Sequence, residues 1–368
     1  MIRFIVVENL RGIKKCVIDD LRNVNIFIGR NGAGKSTILE AIYIASAFTN
    51  KHDVLRNVYK FDYVVQRRGG RGNWNSFRDT LWFLKDVDKK IIIELKFSTG
   101  NTLRFTLIND VMPPPPLHVW PILLEVPRKV IYPYEEGVAY IGHDSGDQLA
   151  VWNPARGVIE SSLDKRFYES IESELEYLKN VVFLDEKLPI HIIESVVWRK
   201  VLDKRLDKPI LELIREEYEP EAEGIGFKPS GEGFTLALML PDTSIEVDSL
   251  GDGAKIALLY AAILSLLKET GVLIEDLENH QHPGGLVTLM RFVLRLAKER
   301  KLQLFITTHS IELINIVKKL TEDVGLGMRV YYLERDRSTG IVDVRAMEST
   351  DIEILQKLGL DPRLLHIL

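Results

Sequence analysis

Apolar residues recur along this chain with two different periods, and the change from one to the other divides it. Residues 3–8 (RFIVVE) and 24–28 (VNIFI) are short apolar runs suited to buried strands. The second runs into GRNGAGKST, after which residues 36–48 carry the apolar density of a helix packed against a sheet. Residues 90–108 alternate apolar and charged positions on either side of Ser98-Thr99-Gly100-Asn101, which predicts a β-hairpin, and residues 138–152 predict another. A run of prolines at 113–116 excludes a helix or a central strand there. Residues 163–179 and 190–217 show helical periodicity. From residue 253 the pattern becomes regular: helix 253–268, strand 272–275, helix 285–300, strand 302–307, helix 311–320 and strand 328–333. Strands spaced by helices of that length predict right-handed crossovers and a parallel sheet. The expected fold is α/β, with a core formed by residues 1–50 and 226–368 and a mixed α+β insertion, residues 51–225, packed on it.

Composition narrows the class without choosing a function. The chain has 368 residues, 46% hydrophobic and 27% charged, and this describes a globular protein with a sizeable core. A net charge of -5 does not advertise nucleic acid, although a basic patch can still act locally. Cys16 is the single cysteine, so an intrachain disulfide and a Cys-rich zinc site are excluded, and a reducing cytoplasm is expected. The N-terminus has an acid at Glu8 and no cleavable apolar core. The longest apolar run, residues 256–267, falls short of the roughly 20 residues a bilayer needs, so no membrane association is expected.

Candidate chemistry begins at Gly29-Arg30-Asn31-Gly32-Ala33-Gly34-Lys35-Ser36, which matches G-x-x-x-x-G-K-[ST] and lies between a predicted strand and a predicted helix. In a P-loop the glycines let backbone N–H groups turn inward around phosphate oxygens, and the helix start adds its positive dipole end. Lys35 is the candidate for the β- and γ-phosphates, and Ser36 for Mg²⁺. A second acid is needed on a neighbouring strand, and Val272-Leu273-Ile274 ends in Glu275-Asp276. Glu275 is then the metal-side carboxylate and Asp276 the general base. The alternative offset makes Asp276 the metal-side acid and Glu278 the base. His280 and His282 follow at a spacing unlike the helical i, i+4 pair of a zinc site. His309, in Thr307-Thr308-His309-Ser310, ends the next predicted strand at the same sheet edge. Asp248-Ser249-Leu250-Gly251-Asp252-Gly253 precedes an apolar helix, a pattern that serves equally as an N-cap or an anion site. Residues 66–78 (QRRGGRGNWNSFR) form an acid-free segment with Arg67, Arg68, Arg71 and Arg78 around Trp74 and Phe77, a composition suited to single-stranded nucleic acid or to a solvated loop whose aromatics tuck into the insertion's own core.

Together these motifs resemble the ABC-type ATPase heads of the RecF/SMC-like branch, and within it the ATPase domains of OLD (overcoming lysogenisation defect) proteins. The resemblance covers roughly residues 1–50 and 240–335. It implies a P-loop NTPase fold, ATP and Mg²⁺ as cofactors, and an ATP-dependent homodimer. In such a dimer Ser249, Gly251, Asp252 and Gly253 form a signature motif facing the partner subunit's ATP. It further implies that Gly29 to Lys35, Ser36 and Thr37 hold the nucleotide, that Arg11 is a nucleotide-side arginine and that His309 is a switch histidine. Under this likeness His280 and His282 are family sequence after the acids, not metal ligands. DNA and a nuclease or helicase are the implied partners, in DNA repair, DNA maintenance or defence against viruses. Two departures bear on turnover: Asp276 stands where the family uses Glu, and Leu277 where it uses Pro, which is expected to loosen the turn. The glutamine that ABC heads place near magnesium has no evident counterpart. A nucleotide-gated scaffold, or less favourably the ATP-binding subunit of a transporter, remains the alternative function.

Overall fold

Val24–Gly29 is buried along its whole length, which requires a strand neighbour on either side and a covering layer on both faces. The computed structural model describes residues 1–68, 72–108, 138–143, 148–152, 159–160, 165–231, 233–279, 281–358, 361 and 363. Within these, Val24–Gly29 lies inside a 13-stranded sheet. On one side run Gln303–Thr307, Gly271–Glu275 and Val182–Leu184; on the other runs Met328–Arg335. All five are parallel. Ile341–Met347 is antiparallel to Met328–Arg335 and parallel to Ile13–Ile18. Beyond that the sheet continues antiparallel through Ile2–Leu10, Ile91–Phe97, Thr102–Ile108, Val138–His143, Gln148–Trp152 and Ile159–Glu160. The chain therefore has the α/β P-loop NTPase fold that its motifs imply. The predicted parallel strands form its P-loop half, and the two predicted hairpins extend the sheet.

Side-chain alternation along the parallel strands sorts the core into two layers. Phe27, Leu273, Phe305 and Tyr331 point to the face covered by the helix Lys35–Ala47. Ile26, Ile274, Ile306 and Tyr332 point to the other, under the helices Asp252–Leu266, Pro283–Glu299 and Ile311–Val324. The period of 2 in a strand makes this separation automatic once the register is set.

Some elements depart from the sequence pattern. Residues 190–217 are not one helix but a π-helical turn, Ile193–Val197, followed by helices Trp198–Asp203 and Asp207–Glu217. The break falls at Arg205, whose φ of 56° is left-handed and cannot continue a helix. Val182–Leu184 is too short for any periodicity to reveal, and pairing with Gly271–Glu275 makes it a strand. A three-stranded antiparallel sheet, Gly224–Ser230, Gly233–Met239 and Ser244–Glu246, leads into Asp252–Leu266. The proline run at 113–116 and the tip of the second hairpin lie outside the described residues. Among the described residues, no helix is long and apolar enough to cross a membrane.

Candidate active site

The phosphate loop is shaped by backbone that only glycine adopts at low cost. Gly29, Gly32 and Gly34 have φ of 141°, 79° and 108°. A Cβ on Gly34 would lie 2.9 Å from Ile13 Cδ1, and one on Gly29 would collide with the Leu333 carbonyl. The loop is thus packed tightly from behind while Arg30, Asn31 and Gly32 stay exposed. Gly34 caps Lys35–Ala47, aiming the helix N-terminus into the loop. Lys35 is buried, and its Nζ donates to the carbonyls of Gly29 at 2.9 Å and Arg30 at 3.3 Å. Burial lowers its pKa, against the pull of the carboxylates of Asp276, Glu275 and Glu278.

Register brings the acids to the same edge. Glu275 pairs with Thr307, and Thr307 with Phe27, so the ends of three adjacent strands converge beside the loop. Asp276 leaves the strand with φ of 46° while its N–H still donates to the Thr307 carbonyl at 3.1 Å. Burial, then the carboxylates of Glu278 and Glu275, push Asp276 up to about 6; Lys35 and Thr307 pull the other way. The turn closes through Asn279 N–H to the Asp276 carbonyl at 3.0 Å, with Leu277 buried beneath it. The loosening expected from Leu277 is therefore absent, because its side chain anchors the turn in the core. Glu278 accepts from the Thr308 hydroxyl and from the His309 N–H at 2.9 Å. It holds the following strand's exit turn and presents His309, whose pKa is lowered by burial, Lys35 and Arg363. His282 caps the helix Pro283–Glu299, accepting from Gly284 N–H at 3.3 Å; His280 lies outside the described residues.

An open cavity of about 590 Å³ at the loop is lined by Gly29, Arg30, Asn31, His309, Arg337, Asp361 and Arg363. Arg363 donates to the His309 carbonyl at 2.7 Å. The signature residues lie elsewhere. Ser249, Gly251 and Asp252 are exposed at the start of Asp252–Leu266, and the Gly253 carbonyl accepts from Gln281 Nε2 at 3.0 Å, tying this helix to the loop after the acids. Asp252 and Lys255 share a second cavity of about 310 Å³ with Asp185, Glu275 and Asp276.

Two readings of the arginines change. Arg11 Nε donates to Glu40 at 3.2 Å, and its terminal nitrogens to Thr80 and Val64, so its side chain is engaged beside the P-loop helix. The nucleic-acid reading of residues 66–78 fails for most of its members. Arg67 and Arg78 are buried, Trp74 packs on Phe61 in the core, and Arg68 donates to Glu40 and to Thr37 Oγ1 at 3.1 Å. Arg71 lies outside the described residues. The cause is charge: Glu40 is fully buried in the P-loop helix and gathers Arg11, Arg67 and Arg68. Asp185, at the end of Val182–Leu184, completes this cluster through Arg56 at 2.8 Å. Sequence reading missed Glu40 and Asp185. A lone carboxylate in the apolar stretch ILEAIYIA was the available signal for Glu40; Asp185 had none.

The family described as "AAA ATPase domain" matches residues 1–109, and the family described as "AAA domain, putative AbiEii toxin, Type IV TA system" matches residues 160–315. The uncharacterized protein MJECL11 of Methanocaldococcus jannaschii is 32% identical over 114 residues, 31% of this chain and 99% of its own length. An ATP/GTP phosphatase of Helicobacter pylori is 19% identical over 358 residues, covering 91% of this chain and 93% of that protein. The DNA replication and repair protein RecF of Lactobacillus acidophilus is 52% identical over 46 residues, 12% of each chain. Among solved structures, an SMC head bound to the C-terminal winged-helix domain of ScpA aligns with a TM-score of 0.48 at 13% identity, over 96% of this chain and 99% of that one.

Proposed function

Because the chain belongs to one family with the Methanocaldococcus protein and carries AAA ATPase domain sequence in both halves, we propose that it binds and hydrolyses ATP. The observation that carries this is the convergence of Lys35, Glu275, Asp276 and His309 on one sheet edge, with Asp276 held near a pKa of 6. The residues fit a magnesium nucleotide. Positive φ at Gly29, Gly32 and Gly34 turns the loop around the helix N-terminus, and Lys35 rests on carbonyls it can exchange for phosphate oxygens. Ser36 and Glu275 would hold Mg²⁺, which supplies charge neutralisation at the β- and γ-phosphates when bound.

In this reading the backbone N–H groups from Gly29 to Thr37 and the ammonium of Lys35 orient the triphosphate. Asp276, ionised above pH 6, accepts the proton of the attacking water. His309, held by Glu278 through its backbone, stands at the γ-phosphate side. Glu278 is engaged with Thr308 and His309, which favours Asp276 over Glu278 as the base. Arg11 acts from behind the P-loop helix through Glu40. Residues 51–225 serve as an insertion into the ATPase core, returning Val182–Leu184 to the parallel sheet. Ser249, Gly251 and Asp252, exposed and outside the chain's own P-loop cavity, complete with Gly253 the site of a second copy in a head-to-head homodimer. Closure of that dimer regulates DNA handling together with a nuclease or helicase. A nucleotide-gated scaffold is the second reading, favoured by the contact between Arg67 and Glu275.

The test is phosphate release by purified protein, with and without DNA, beside Lys35→Ala. Turnover in the natural protein and none in the variant is the expected result. Equal rates would remove the P-loop from the reaction, and ATP binding without any turnover would favour the scaffold.

A further inference from the structure

Val182–Leu184 pairs alongside the acidic strand, and Arg67 reaches the end of that strand from another part of residues 51–225. Arg67 follows the helix Lys60–Gln66, and its guanidinium is 4% exposed. One terminal nitrogen donates to Glu40 Oε1 at 2.7 Å. The other donates to Glu275 Oε2 and lies 3.6 Å from Asp185 Oδ2. The planar group rests over the Phe183 ring, 4.4 Å from its centroid, and Lys187 Nζ donates to the Arg67 carbonyl. Nε is buried without an acceptor. A guanidinium so placed supplies positive charge to the carboxylate assigned above to the magnesium side, while also bonding the P-loop helix and the neighbouring strand end.

A divalent cation at Glu275 and a guanidinium on the same carboxylate repel, and with the Glu275 side chain only 19% exposed solvent screens them incompletely. Arg67 has somewhere to go. Glu40 and Asp185 already share its charge, so leaving Glu275 does not strand a buried cation. We propose that Arg67 is a positioning residue that holds Glu275 in the nucleotide-free protein and is exchanged from it when Mg·ATP binds. This rests on the ATPase reading above. The exchange connects the nucleotide to the insertion: Arg67 carries the end of Lys60–Gln66, and its carbonyl carries Lys187, just after Val182–Leu184. Both segments should therefore respond to Mg·ATP, and to ATP without the metal they should not.

The experiment uses the full chain, a fluorescent ATP analogue with Mg²⁺ or with EDTA, and hydrogen exchange of backbone amides in residues 60–68 and 182–188. Mg²⁺ with nucleotide should raise exchange in both segments on the order of tenfold, the weight of one charge-assisted hydrogen bond, and nucleotide in EDTA should leave it unchanged. Arg67→Met should lower the Mg²⁺ concentration for half-maximal binding on the order of tenfold, with Arg67→Lys between, since lysine keeps the charge but cannot bridge two carboxylates. If Arg67→Met does not fold, the exchange measurement on the natural protein decides by itself. Nucleotide bound with Mg²⁺ and no change in either segment overturns the exchange of Arg67 alone. No nucleotide binding under any condition overturns the ATPase reading, and Arg67's role with it.

Discussion

Asp276 combines two features that an ordinary surface carboxylate lacks: left-handed backbone with φ of 46° and a pKa pushed up to about 6. Backbone strain of this kind persists where surrounding structure overdetermines it, here the bond to the Thr307 carbonyl. Asp276→Asn should keep ATP bound and cut phosphate release by roughly 10²–10⁴, the usual span for loss of a general base. Turnover of the natural protein should fall as pH drops through about 6, because the base must be ionised to act. Stalling by Glu278→Gln with Asp276→Asn still active would move the base two residues. Lys60 makes a separate case, away from the site. It is buried, donates to Ser46 Oγ at 2.9 Å, and burial lowers its pKa to about 8. The unfolded lysine holds its proton up to its ordinary 10.5, so the cost to stability is complete below pH 8 and fades as pH rises toward 10.5. Lys60→Met should therefore stabilise the protein by about 2 kcal/mol at pH 7, and the gain should vanish near pH 10. Melting temperatures across that range check both the sign and the window.

At the scale of elements, the P-loop helix Lys35–Ala47 carries two loads. Ile38, Leu39, Ile42 and Ile44 are fully buried, and each contributes roughly 1.5–3 kcal/mol by leaving water. Glu40, also fully buried, fastens Arg11, Arg67 and Arg68 from two other parts of the chain. Glu40→Ala leaves buried guanidinium groups without their shared carboxylate. Urea denaturation should show a loss of about 3–5 kcal/mol, far more than deletion of an exposed pair. A loss within the range of surface substitutions would mean that the arginines repartner at no cost.

For the whole molecule, the question is how many chains make one active unit. The cavity at the P-loop includes none of Ser249, Gly251, Asp252 and Gly253, and these open an exposed helix start. An isologous dimer makes both sites complete with one surface, as two-fold symmetry requires. Ser249→Arg should bind ATP and fail to turn it over. Mixed in equal amounts with Lys35→Ala, it should recover about a quarter of natural activity, since half the dimers are mixed and each holds one intact site. No recovery at any mixing ratio rules out action between subunits.

The sequence by itself determined the elements whose physics is local. Gly29, Gly32 and Gly34 bend the phosphate loop, the run Val272-Leu273-Ile274 makes the strand that delivers Glu275 and Asp276, and alternation at residues 90–108 makes the hairpin. Each is specified by residues close to one another in the chain, so periodicity and turn chemistry suffice. Tertiary structure alone decided the partners of charge. Arg67 lies 208 residues from Glu275 and 27 from Glu40, and nothing in QRRGGRGNWNSFR distinguishes a solvated basic loop from a buried bridge. What separates them is desolvation. A fully buried carboxylate at Glu40 must find cations wherever the fold brings them within reach, and only the folded chain sets that reach.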